Sequence, residues 1–361
     1  MVDNNKQSLP KSWSELTWQQ LCQMWEVKQR YGGNNDVARV AALLALLHCN
    51  VYHPRKSSSS NLHPVTGEQL YQLTDVDGRL RTVTAREAAY MANKVLAWFD
   101  FPYGDPGEKE QRDKQGNVIK ERREPVSGYV SFMRDAMMLP IETLKISFRH
   151  FALPGVACNN LTWQQYRSLQ TISPQLFAEG ITDDQALVLQ AKFLANILTP
   201  RTIAVLDTSG GSIRLRPHYE YRYNAEQAEG LVSYFERNLK KEIKRAHILR
   251  LYAKLTGKNK RNVQCSMSTL FHICFQTYQT ALNYYSIAYP LLFTSNESGD
   301  TLRDALTGEV GTVNTIMKYA GYAEQQQVYD SNLPFVLDIL NTMVKDAKEI
   351  EKMNSKMKRK S

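Results

Sequence analysis

Leu16-Thr17-Trp18-Gln19-Gln20 and Leu161-Thr162-Trp163-Gln164-Gln165 are the same five-residue word, and its reading decides the fold. In the first copy Thr17 stands where an N-cap residue stands, and Gln20 falls three residues later, at N3. A threonine hydroxyl and a glutamine amide at that spacing satisfy each other's backbone N–H groups, the reciprocal pair of a capping box. Leu16, just before the cap, pairs with Leu21 at N4 as a hydrophobic staple. Thr162, Gln165, Leu161 and Tyr166 repeat the set. Each word therefore predicts the start of a helix.

Outward from the two words, further elements correspond. Val37–Leu47 (VARVAALLALL) and Gln185–Leu198 (QALVLQAKFLANIL) are both rich in Ala and Leu, the composition of a buried helix. A hairpin pattern follows each. Asp77-Gly78 sits between two short alternating runs, and Gly210-Gly211 holds the same place in the second copy. Thr84 to Glu87 then spells another capping box, with Asn224 to Gln227 as its counterpart. Four elements in the same order, the three helix elements at offsets of about 140–148 residues and the hairpin turns at 133, predict a duplication. The period is too long for a solenoid and implies two related subdomains.

The expected fold class is mainly α (α+β): two helix-helix-hairpin-helix subdomains and a helical C-terminal region. The segments are 1–125 for the first unit, 126–158 for connecting helices, 159–238 for the second unit and 239–361 for the C-terminal region. Tyr129–Met138 and Ile141–Phe151 are the predicted connecting helices, parted by Pro140. The charged stretch Gly104–Glu124 reads as a loop or an exposed hairpin turning at Gln115-Gly116-Asn117. Leu239–Leu255 and Met267–Tyr289 are predicted helices, Asn296–Gly311 a loop, and Pro334 onward a terminal helix.

Composition bounds the rest. Of 361 residues, 43% are hydrophobic and 10% aromatic, which suits packed cores and excludes global disorder. The formal charge of +9 permits acidic partners without naming one. Cysteine occurs five times, at irregular spacing, so buried free thiols in a reducing compartment are expected rather than a disulfide framework. The opening MVDNNKQSLPKSW has no apolar run of the kind a secretory signal carries. The longest apolar stretch, Leu270–Phe293, is interrupted by His272, Gln276, Gln279, Asn283 and Pro290 and reads as a core helix, so no membrane partner is expected.

Catalytic and metal motifs fail on spacing. His48, Cys49, His53 and His63 lack the regular intervals of a zinc site, and Cys265, His272 and Cys274 do not share a helix face. Asp75-Val76-Asp77-Gly78 begins like a calcium loop but lacks its later ligands. Thr256-Gly257-Lys258 lacks the glycine that a phosphate loop needs five residues earlier, where Tyr252 stands. Asp183 and Asp184 sit at a helix start, where the dipole favours carboxylates. No catalytic centre, metal or cofactor is expected.

Two segments read as interaction surfaces. Lys240, Lys241, Lys244, Arg245, Arg250, Lys254, Lys258, Lys260 and Arg261 face a single Glu242, a pattern that fits phosphate contact, a solvated face or an acidic partner. In the terminal helix Leu333, Leu340, Ala347 and Asn354 recur every seven residues, with Val336, Met343, Ile350 and Met357 as a second series. That is an a/d seam over about three heptads, suited to self-association or to a partner helix. The same pattern fits an amphipathic helix lying on its own domain.

The word at each helix start, followed by a polar helix and an Ala/Leu-rich helix, resembles tail-assembly chaperones of tailed bacteriophages. Leu16–Leu47 and Leu161–Leu198 carry the likeness. Tyr319–Met343 is similar to segments of phage morphogenesis proteins in which a Gly-aromatic turn precedes a Pro-bearing amphipathic helix. The resemblance covers under a third of the chain. It implies a protein partner such as a tape-measure or tail protein, no cofactor, and assembly in the host cytoplasm. A structural virion or connector protein is the alternative it leaves open, with a place in the virion. A nucleic-acid binder using the basic segment is the third reading.

Overall fold

The computed structural model of the chain describes residues 9–31, 35–47, 50–51, 69–74, 80–96, 111–112, 118–119, 138–203, 219–256, 267–293 and 309–358. The described chain is mainly helical with a minor strand content, the expected class. It divides into two compact units: Met1–Ala136 with Asn259–Leu270, and Met137–Lys258 with Phe271–Ser361.

The first unit holds helices α1 (Trp18–Tyr31) and α2 (Asn35–Leu46), strands β1 (Asn50–Val51), β2 (Leu70–Thr74) and β3 (Leu80–Thr84), then α3 (Ala85–Val95). The capping box at its first helix forms: Thr17 N donates to Gln20 Oε1 at 2.8 Å and Gln20 N to Thr17 Oγ1 at 3.3 Å. Both staple residues, Leu16 and Leu21, are buried. Leu21 and Met24 (i, i+3), Ala38 and Ala42 (i, i+4), and Ala88, Ala92 and Leu96 (i, i+4, i+8) are fully buried, one stripe per helix. The alanines let α2 pack closely on α1 and α3. β1, β2 and β3 form an antiparallel sheet, and its inner ladder runs from Leu70↔Thr84 to Thr74↔Leu80 across the expected Asp77-Gly78 turn. That dipeptide lies outside the described residues. So does Gln115-Gly116-Asn117, which falls between the paired strands β4 (Gln111–Arg112) and β5 (Val118–Ile119).

The second unit opens with a strand hairpin. The helix expected over Ile141–Phe151 is instead a hairpin of β6 (Thr143–Ile146) and β7 (Arg149–Ala152), with Ile146↔Arg149 closing a two-residue turn. Ser147 takes φ 55°, the positive value such turns need at their first central position. Leu144 and Ile146 alternate with Thr143 and Lys145, and burial follows that period of two. Of the other expected connecting helix, Tyr129–Met138, all but the last residue lies outside the described residues.

Next come α4 (Trp163–Gln175), α5 (Asp183–Ile197), β8 (Thr199–Ile203), β9 (Tyr219–Tyr221) and the long α6 (Ala225–Thr256), which carries the expected 239–255 helix as its continuation. The sheet order is β6-β7-β8-β9, antiparallel throughout. Gly210-Gly211 lies outside the described residues. Thr162 caps α4 with Gln165 in the predicted box, and Thr182 caps α5 with Gln185 in a further one. Asn224 caps α6 by accepting from Glu226 N at 2.8 Å and Gln227 N at 3.3 Å.

Residues 239–361, read from sequence as a separate region, fall largely in the same unit as 159–238. α7 (Met267–Ala288) enters this unit at Phe271, and α8 (Pro290–Phe293), α9 (Glu309–Ala320), α10 (Gln325–Tyr329) and α11 (Leu333–Lys358) follow. Gly321 ends α9 at φ 70°, and Tyr322 N reaches back to Met317 O at 2.9 Å, a left-handed C-cap that turns the chain toward α10. The chain ahead of α11 is then tied to the start of α4. Trp163 N donates to Ser331 O, and Leu333 N to Leu161 O, each at 2.8 Å. Tyr289 Oη adds a 2.7 Å bond to Asp338 Oδ1. Phe193, on α5, meets Phe271, Phe275 and Tyr278 of α7 at centroid distances of 5.5, 5.4 and 5.8 Å, which places the aromatic core between those helices.

Candidate protein-binding surfaces

α11 is divided along its length. Leu333, Val336, Leu337, Leu340 and Val344 are buried in the second unit. Their spacing of three, one, three and four follows the 3.6 period of a helix lying on its own domain. Leu333, Val336 and Leu340, expected on a partner-binding seam, are therefore occupied by the chain itself. Met343 and Ala347 are half-buried. Beyond Val344 the character changes: from Lys345 to Asn354 no residue is buried, and Ile350 is 53% and Met353 57% exposed. Over three turns a 3.5-residue and a 3.6-residue repeat drift apart by only about 20° per heptad, so the letters alone do not separate seam from core stripe.

The basic segment lies on α6. Arg237, Lys240, Lys241, Lys244 and Arg245 are all exposed, and the first four follow a helical spacing that gathers them on one side. Glu236 accepts from Lys240 Nζ at 2.6 Å, and that contact holds the lysine above its ordinary pKa. Ile243 and Ile248, which the sequence reading passed over, stand 51% and 64% exposed among these cations. Lys258, Lys260 and Arg261 lie outside the described residues.

A third surface was not legible in the sequence. A groove of about 760 Å³ runs between the end of α4 and the middle of α7, lined by Gln170, Ser173, Pro174, Phe177, Phe275, Tyr278, Gln279 and Leu282. Phe177 stands 72% exposed at its edge, 5.4 Å from the ring of Phe275. Its residues come from two segments about a hundred positions apart, and no local pattern marks them.

The chemistry of the described residues is quiet. Cys158 and Cys274 are buried free thiols, the state expected of them, and Cys22 is buried as well. Burial pushes the Cys158 thiol up to about 12, and Cys274 rises by burial first and by the neighbouring Cys158 second. A thiol so desolvated is a poor nucleophile at neutral pH. Among the described residues no three His, Cys, Asp or Glu side chains converge on a common point, and no helix is long and apolar enough to cross a membrane. His48, Cys49, His53, His63 and Cys265 lie outside the described residues, as do Asp75, Asp77 and Gly257.

Compared with models of known protein families, with curated proteins and with solved structures, the chain matches none.

Proposed function

We propose that this protein works without catalysis, by holding an apolar helical segment of another protein, and that it serves phage tail assembly as a chaperone of the tape-measure protein. The observation that carries the binding role is the outer part of α11, where Ile350 and Met353 stand exposed on a helix with no buried residue from Lys345 to Asn354. An aliphatic stripe on an otherwise charged helix is stable in water and gains apolar contact when a second helix lies along it. Met343 and Ala347, half-buried, continue the stripe toward the core. The tail-assembly role rests on the likeness of Leu16–Leu47 and Leu161–Leu198 to the chaperone pattern. The host cytoplasm as the place of action follows from that role.

The test replaces Ile350 and Met353 together by Glu in the full chain. The native protein is expected to co-purify with the product of a neighbouring tape-measure gene and to keep it soluble. The double variant is expected to fold normally and lose the partner. Light scattering after size exclusion reports whether the same face also joins two copies of this chain. If the variant retains both its partner and its native mass, the α11 face is not the binding surface. Retention of the protein in purified particles favours the virion-component alternative, since an assembly chaperone leaves.

The exposed basic face of α6 favours a second reading, contact with nucleic acid through Lys240, Lys241, Lys244 and Arg245. Four phosphate contacts predict a slope of about −3.6 in log affinity against log salt for duplex DNA. Absence of binding at low salt removes this reading.

A further inference from the structure

Phe148 is the second of the two turn residues that join β6 to β7, and it stands 76% exposed. Such turns favour Gly, Asn, Asp or Ser, not a phenyl ring. A single exposed apolar side chain is ordinary in itself. The setting of this one is not. The Arg149 guanidinium lies 5.8 Å from the Phe148 ring and 5.2 Å from the ring of Tyr234 on α6. Tyr234 Oη donates to Ile146 O at 3.0 Å, which fixes the hairpin against that helix. Lys145 is exposed on the hairpin's other face, and no acidic residue occurs from Thr143 to Phe151.

The helix beneath the tip is the one that carries the basic face. Leu231, Phe235 and Leu239 are its buried stripe. Arg237 and Lys241 follow Phe235 and Leu239 by two places each, about 200° round the helix, so they point away from the core. Lys244 continues their row, and all three are exposed. The row begins about one turn beyond Tyr234 and reaches Lys244 about 15 Å along the axis. Hairpin and row belong to the same compact unit.

We propose that the hairpin tip and the basic face of α6 form one continuous site for single-stranded nucleic acid, in which an unpaired base stacks on Phe148 and the phosphates follow Arg149, Arg237, Lys241 and Lys244. This rests on the reading of α6 as a nucleic-acid surface and names the kind of strand that the surface takes. A row of exposed cations is complementary to a polyanion. Stacking on an aromatic ring tolerates any sequence but needs a base free of its helix, so a duplex offers Phe148 nothing. An acidic protein segment offers charge without flat rings. An anionic bilayer attracts the same cations, but sinking Phe148 into hydrocarbon carries Arg149, held over its ring, toward it as well.

The experiment uses full-length protein and fluorescence anisotropy at low salt, with labelled 15-residue oligothymidine, oligouridine and a mixed-sequence duplex of the same length. Both single strands are expected to bind more tightly than the duplex. Phe148→Ala is expected to weaken single-strand binding about tenfold, leaving duplex binding and the thermal midpoint unchanged. Phe148→Trp is expected to restore single-strand binding. Lys241→Gln with Lys244→Gln is expected to weaken both forms and to flatten the single-strand salt dependence by about 1.4 in log–log slope. Equal binding of strand and duplex, unmoved by Phe148→Ala, overturns the proposal and leaves the α6 reading standing. No binding of any oligonucleotide overturns both. Co-sedimentation with phosphatidylserine vesicles that Phe148→Ala abolishes, without oligonucleotide binding, assigns the tip to a membrane surface and equally overturns the proposal.

Discussion

Replacing Gln165 by Ala is expected to be far more damaging than replacing Gln20, although the two residues hold the same place in the same word. Gln165 is fully buried. Its Oε1 accepts from Thr162 N at 2.9 Å, completing the box at the start of α4. Its Nε2 donates to Asn196 O at 2.8 Å and to Thr199 Oγ1 at 3.3 Å. Asn196 lies in the last turn of α5, whose carbonyls have no partner within the helix. One amide therefore caps the beginning of one helix and the end of another. Losing the box bond costs about 1 kcal/mol, as cap deletions do. Leaving the Asn196 carbonyl without its donor costs about 1–3 kcal/mol more. The void left by the side chain adds about 1 kcal/mol. The sum is about 3–5 kcal/mol, a large share of a domain stability of about 5–15 kcal/mol. Gln20 makes its bonds to Thr17 and is not fully buried, so Gln20→Ala is expected to cost about 1 kcal/mol. Urea unfolding followed by far-UV circular dichroism measures both. Hydrogen exchange should show Gln165→Ala opening the C-terminal turn of α5 as well as the start of α4. Equal costs for the two substitutions, or a Gln165→Ala cost below about 1 kcal/mol, refute the double-capping argument.

Two further outcomes follow from burial and charge. Leu340→Ala is expected to destabilise by about 2–5 kcal/mol, and Ile350→Ala by under about 0.5 kcal/mol, because only the first lies in the core; urea midpoints of the two variants check this, and equal losses would mean that the outer part of α11 is packed too. Alkali should weaken the fold: burial raises Cys158 from an ordinary thiol value of 9.0 to about 12 and Tyr166 from an ordinary phenol value of 10.0 to about 12, so the folded chain keeps protons that the unfolded chain releases. Stability then falls with rising pH from about 9 to about 12, by up to about 1.4 kcal/mol per pH unit for each group so held. Urea midpoints measured from pH 8 upward should decline, and Cys158→Ser should flatten the early part of the decline.

The letters alone determined the local events. Thr17-Trp18-Gln19-Gln20, Thr84 with Glu87, and Thr162 with Gln165 place their helix starts because a cap is satisfied within four residues and needs no distant partner. The Ala-rich runs over 37–47 and 185–198 are helices for a similar reason: the apolar period is contained in the segment itself. Residues 141–151 misled, since their short apolar run suits helix and strand alike. The choice fell to pairing with β8, where Phe151↔Pro200 and Ala152↔Thr199 lie some fifty residues apart in sequence. Only the tertiary structure decided which half of α11 is core. The deciding bonds, Trp163 to Ser331 and Leu333 to Leu161, join segments about 170 positions apart, and neither segment announces the other. The groove at Ser173 and Tyr278 was beyond the sequence on the same ground. Period and capping are written along the chain, whereas the partner of an apolar face, and the polar group left without one, exist only once distant segments meet.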